Sequence, residues 1–115
     1  MNSEHITTAT ARIQWACDKT FAPPWLQYAP TIHVETCPEL DARNISWTAS
    51  LRRIDDYNDE SQQFTVTFQI VAPRAPHHLL MPHLEFEFWE GKRVWQGIIL
   101  ETFMAPKDPN YWYDT

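Results

Sequence analysis

Three histidines stand close together in "PHHLLMPH", residues 76–83, and a trio of imidazoles is a common way for a protein to hold a catalytic zinc ion. Such a site needs three or more ligands converging from defined elements. Pro76 and Pro82 bracket this segment and disfavour a helix, and the adjacent His77 and His78 point to opposite sides of an extended chain. No carboxylate stands at Glu-x-x-His spacing. His77, His78 and His83 therefore read as loop residues, facing solvent or bonded to backbone, and no metal is expected. Nucleophilic chemistry fares no better. Cys17 and Cys37 lie in or beside strand patterns with nothing to activate a thiolate, and no serine sits on a glycine-flanked elbow. The chain has only two glycines, Gly91 and Gly97, which excludes a phosphate-cradling loop and with it nucleotide hydrolysis. The sequence reads as a non-enzyme without a cofactor.

The elements that position these residues follow a period of two. Ala11, Ile13, Trp15 and Cys17 alternate with polar or small residues, as do Ile45, Trp47, Ala49 and Leu51, then Phe64, Val66, Phe68 and Ile70. Leu84, Phe86 and Phe88 alternate with Glu85 and Glu87. Each pattern predicts a strand with one buried face. Ile32 and Val34 predict a short strand, and residues 93–103 a long one in which Val94, Ile98 and Leu100 share a face. Turn signals separate them at Pro23-Pro24, Cys37-Pro38, 55–60, 73–76, Glu90-Gly91 and 107–109. Gly91 suits a tight hairpin, and Gly97, inside a strand, marks a bulge or a close backbone approach. No window keeps helical spacing over ten residues. Strands without a helix to cover them must close on themselves, which predicts an all-β fold: a small, helix-poor, antiparallel Greek-key-like barrel of six to seven strands. It occupies residues 1–106 as one domain, and 107–115 form an aromatic tail.

Composition narrows the partners. Hydrophobic residues make up 43% of the 115, enough for one modest core. No apolar run approaches the roughly eighteen residues of a membrane span, and residues 1–10 lack a signal-peptide pattern, so the chain reads as cytoplasmic. The net charge of −6 is spread over both halves, which repels phosphate backbones and favours a basic partner.

With strands and turns placed, "HLEFEFWEGKRVWQGIIL" resembles the closing hairpin of the C-terminal β-barrel domain of elongation factor Tu. Phe86, Phe88, Glu90, Gly91, Arg93, Gly97, Ile98 and Ile99 occupy the places of that hairpin. Upstream, "QYAPTIHV" is similar to a strand start in the same domain, with Tyr28-x-Pro30 followed by Ile32 and Val34, and with Phe21 before it. The resemblance covers residues 11–101 and implies the barrel. Lys92, Trp95 and Gln96 stand where the family has glycines, and Gln27 and Ala29 replace its Gly and Arg around Tyr28. Those departures fall on surfaces the factor uses for partners, including aminoacyl-tRNA, and fold likeness alone does not license function.

An acidic barrel without a catalytic set is expected to be a protein-binding module. The candidate contacts are Asp55, Asp56, Tyr57, Asp59 and Glu60 in the acidic connector, Trp89 and Trp95 flanking Gly91, and Tyr111, Trp112 and Tyr113 in the tail. This profile fits an immunity protein that neutralises a basic, nuclease-type bacterial toxin. The alternative is a translation-associated barrel that mimics the elongation factor domain and binds tRNA or a factor partner through Arg52, Arg53, Lys92 and Arg93.

Overall fold

The computed structural model describes residues 5–15, 30–53, 63–72, 74–90 and 93–107. Six strands form: β1 (His5–Trp15), β2 (Thr31–His33), β3 (Trp47–Arg53), β4 (Gln63–Ile70), β5 (Glu85–Trp89) and β6 (Arg93–Pro106). The described residues contain no α-helix, only single 3₁₀ turns at Pro38–Leu40 and His77–Leu79. The strands close into an all-antiparallel barrel in the order β1-β4-β3-β2-β5-β6, with β6 returning to β1. Strands β2, β3 and β4 form a meander, and β5 crosses back to lie beside β2, which is a Greek key. Closure removes the free edges that an open six-stranded sheet would carry.

Alternation sets the core as expected on most strands. Ala11, Ile13, Ala49, Val66, Ile70 and Phe88 are wholly buried, and Leu51, Phe68 and Phe86 nearly so. The centre is aromatic: Phe68, Phe86 and Phe88 meet at centroid distances of 4.9–5.3 Å in tilted and edge-on arrangements, which suit the ring quadrupoles. Small residues complement them, since Ala9 is paired with Phe68 and Ala49 with Ile70.

Three details differ from the sequence reading. Strand β1 begins at His5, well before Ala11, because β6 is long enough to pair with it from Trp95 to Pro106. Ile45 is 40% exposed rather than buried, since its N–H donates to the Asp41 carbonyl in a turn and β3 starts only at Trp47. On β6 the face turned inward is Trp95, Gly97 and Ile99, whereas Ile98 is half-buried and Leu100 is exposed. The register explains it: Gly97 lies between Ile13 of β1 and Phe86 of β5, both of which point inward.

Gly97 makes a close approach, and the bulges lie elsewhere, at Thr10/Ala11 and Phe88/Trp89. A methyl group at Gly97 would stand 2.6 Å from Cζ of Phe86 and 2.8 Å from Cγ2 of Ile13. Ahead of β5 the chain makes a turn over Met81–Leu84, with the Leu84 N–H donating to the Met81 carbonyl at 3.1 Å. Pro82 takes its second position, and His83 its third with φ 74°, the type II arrangement. The His83 N–H donates to the Ile99 carbonyl at 2.8 Å, so the turn is fastened to β6.

Candidate functional site

The residues that alternate with the core line up across the outer face. Gln63 of β4 is in register with Gln14 of β1, Gln14 with Gln96 of β6, Gln96 with Glu87 of β5, and Glu87 with His33 of β2. A parallel row runs from Thr65 through Arg12 and Ile98 to Glu85. Both rows are neutral or basic over β4 and β1 and become acidic over β5. They border a cavity of about 430 Å³, to which Glu35 also contributes. Its described lining carries three carboxylates against the single guanidinium of Arg12, a net of two negative charges with His33 neutral. The Gln63 amide donates to Oε1 of Gln14 at 3.3 Å, continuing the row as a side-chain ladder.

The segment between β2 and β3 brings Glu35 to this cavity and packs against His33 beside it. Leu40 is buried in the core, and its carbonyl accepts from the Val34 N–H at 2.8 Å, folding the segment back over β2. That places the Ala42 N–H 3.0 Å from Nδ1 of His33, whose ring is fully buried. A backbone N–H only donates, so Nδ1 accepts and the ring proton lies on Nε2. Nε2 then donates to Oε2 of Glu35 at 2.6 Å. Asp41 Oδ1 stands 3.5 Å from Nδ1, but with both atoms acting as acceptors this is proximity and not a bond. Both ring nitrogens are committed, and His33 works as a staple between strand and loop.

Arg43 ties the carboxylates together. Its backbone N–H and Nε both donate to Oδ1 of Asp41 at 2.9 Å, its Nη2 donates to Oδ2 at 2.8 Å, and Nη2 also reaches Oε1 of Glu35 at 3.1 Å. These bonds from the Arg43 side chain and backbone hold the Asp41 carboxyl down at about 2, below its ordinary 3.8. The His33 bond lowers Glu35, and Asp41 in turn raises Arg43. A group whose folded value is depressed stabilises the fold above its unfolded value and loses that contribution as pH falls through the folded one. Melting temperatures of the protein and of Asp41→Asn are therefore expected to differ near pH 6, to converge from about pH 4 downward, and to coincide only below pH 2, where the carboxyl is protonated in both states. A gap that survives at the acid end would contradict this assignment.

Trp89 sits beside the cavity, against two of its lining residues. Its ring stacks on His33 at 4.1 Å and 26°, and Nε1 donates to Oε1 of Glu87 at 2.8 Å. The indole is half-buried and held on two sides, by the His33 ring and by the Glu87 carboxylate.

Neither a protein-family model nor a curated protein matches the chain.

Of the residues singled out from sequence, Trp89 belongs to this face. Trp95 does not, contrary to expectation: it is completely buried in the core, because its strand register turns it inward with Gly97 and Ile99. Asp55, Asp56, Tyr57, Asp59, Glu60, Tyr111, Trp112 and Tyr113 lie outside the described residues. His77 is half-buried and its Nε2 donates to the Ile70 carbonyl at 3.1 Å, while His78 and His83 are exposed. Among the described residues no group of three or more His, Cys, Asp or Glu is placed to hold a metal ion, and no helix is long and apolar enough to cross a membrane. Cys37 is a free thiol, raised by burial and by its bond to Glu39. Sequence reasoning missed Glu35, Glu85 and Glu87 as a group. Alternation alone places Glu85 and Glu87 on the outer face of β5, so part of the signal was present.

Proposed function

We propose that this barrel is a non-enzymatic protein-binding module, acting as an immunity protein that captures and neutralises a basic, nuclease-type bacterial toxin in the cytoplasm. The observation that carries the reading is the acidic cavity on the outer face, beside which an indole is already fixed in place by two of the lining residues, His33 and Glu87. An aromatic held before binding loses little entropy on docking, and carboxylates at the rim steer a basic partner toward the face. Carboxylates arranged on a rigid surface also compete with phosphate for the cationic groups of a nuclease. A complex of this kind buries roughly 1,600 Å² in total, of which one barrel face supplies half.

The test is size-exclusion chromatography and calorimetric titration against a panel of basic bacterial nuclease toxin domains, with residual nuclease activity measured in each mixture. One domain is expected to co-elute with the barrel and lose its activity. Failure to bind any member, or capture that leaves the nuclease active, removes the immunity reading. Titration with tRNA at low salt accompanies it, where electrostatic binding is strongest. Saturable tRNA binding there moves the protein to the translation-associated alternative.

A further inference from the structure

Resting on the reading of this barrel as a protein-binding module, we infer that the two cross-strand rows of the outer face receive an extended, arginine- or lysine-bearing segment of the partner, with its cation over β5. The rows are graded in charge. Gln63, Gln14 and Gln96 offer neutral amides over β4, β1 and β6, and Glu87 follows in the same register. The second row ends on Glu85, and Glu35 stands at the same end of the cavity. Arg12, Gln96, Glu85 and Glu35 are all exposed, so the face is open to solvent.

The dimensions fix the occupant's form. From Gln63 to Glu87 the row crosses three interstrand spacings, about 14 Å, which is the length of roughly four extended residues. Glutamine side chains present donors and acceptors together and suit the alternating N–H and C=O groups of such a segment. A guanidinium or ammonium at its end meets Glu85, Glu87 and Glu35, of which Glu35 is already committed to His33 and Arg43. Glu85, exposed on the outer face of β5, carries the charge recognition, and Glu87 and Glu35 add to the negative field around it. Glu87 is held in place by the Trp89 indole. An anionic segment is repelled by the net negative charge of the cavity, and a wholly apolar one would strand the glutamine amides.

The experiment is an amide chemical-shift titration with an end-capped peptide of two arginines and two serines, at low salt, on the intact protein and two variants. Shifts are expected to centre on Glu85, Glu87, Gln96 and Ile98. The double variant Glu85→Lys/Glu87→Gln reverses the charge yet keeps an acceptor for the Trp89 N–H, and is expected to bind the peptide about tenfold more weakly. Glu101→Lys, outside the cavity, is expected to leave affinity within a factor of about two. Unchanged affinity in the double variant, shifts centred elsewhere, or an identical pattern with spermine overturns the inference. Its failure is separable from that of the functional proposal. A toxin domain captured equally by protein and double variant discards this face and keeps the module, whereas peptide binding without any toxin capture does the reverse.

Discussion

Trp95→Ala is expected to cost the barrel about 4 kcal/mol, the middle of the range for removing a buried tryptophan. Trp95 is the largest side chain among the described residues that is fully shielded from water, and it belongs to the same cluster as Phe68, Phe86 and Phe88. Truncation removes the apolar surface of the whole indole and leaves a void that neighbours on six hydrogen-bonded strands are poorly able to fill. Domains of this size have total stabilities of roughly 5–15 kcal/mol, so the loss takes a large part of it. The melting temperature is expected to fall by about 15 °C. Differential scanning calorimetry decides the matter, with Trp95→Phe as a companion that keeps most of the volume. An alanine variant melting within a degree or two of the parent means that the indole is not in the core.

Gly97→Ala is expected to have the second-largest effect, a loss of about 2–3 kcal/mol from one added methyl group. The new carbon would lie well inside van der Waals contact of Phe86 and Ile13, and 3.1 Å from the Arg12 carbonyl oxygen. The tip of a phenyl ring usually yields, but Phe86 is held by Phe68 and Phe88, and Ile13 is wholly buried. Replacing glycine by alanine also restricts the unfolded chain, which favours folding by up to about 1 kcal/mol and is outweighed here. The denaturation midpoint in urea is expected to drop with an unchanged slope. A midpoint at or above that of the parent would show that Phe86 turns aside freely. The two substitutions neighbour one another across the same strand, so their effects are not expected to add.

Most of the fold was legible because the core strands alternate strictly. Phe64–Ile70 and Leu84–Phe88 announce both their conformation and their buried side. The start of β1 was not, since "HITTAT" has too little hydrophobic contrast to carry a period. The inward face of β6 was misread for a related reason. Val94, Ile98 and Leu100 are together more apolar than a set that includes Gly97, yet the glycine is there because Phe86 and Ile13 take its space. Sequence cannot display a requirement for missing volume. Trp95 followed the same error outward. The candidate site divides in the same way: Glu85 and Glu87 follow from alternation, whereas the His33–Glu35–Arg43–Asp41 knot depends on a loop folding back to bring the Ala42 N–H onto an imidazole. Nothing in the order of those residues fixes that return path.

The longest seam in the barrel joins β1 to β6, with His5 opposite Pro106. Of the six strands, a ribosome delivers β1 first and β6 last. When β1 to β4 have emerged, the nascent sheet still lacks β5 and β6, the strands that seal its interior, and Ile13 and Phe68 have no lid. Closing so distant a pair late makes folding slow relative to locally connected topologies, and it leaves a sticky half-barrel in the interim. Protein truncated before β6 is therefore a substrate for chaperones and proteases and not a smaller working version of the whole.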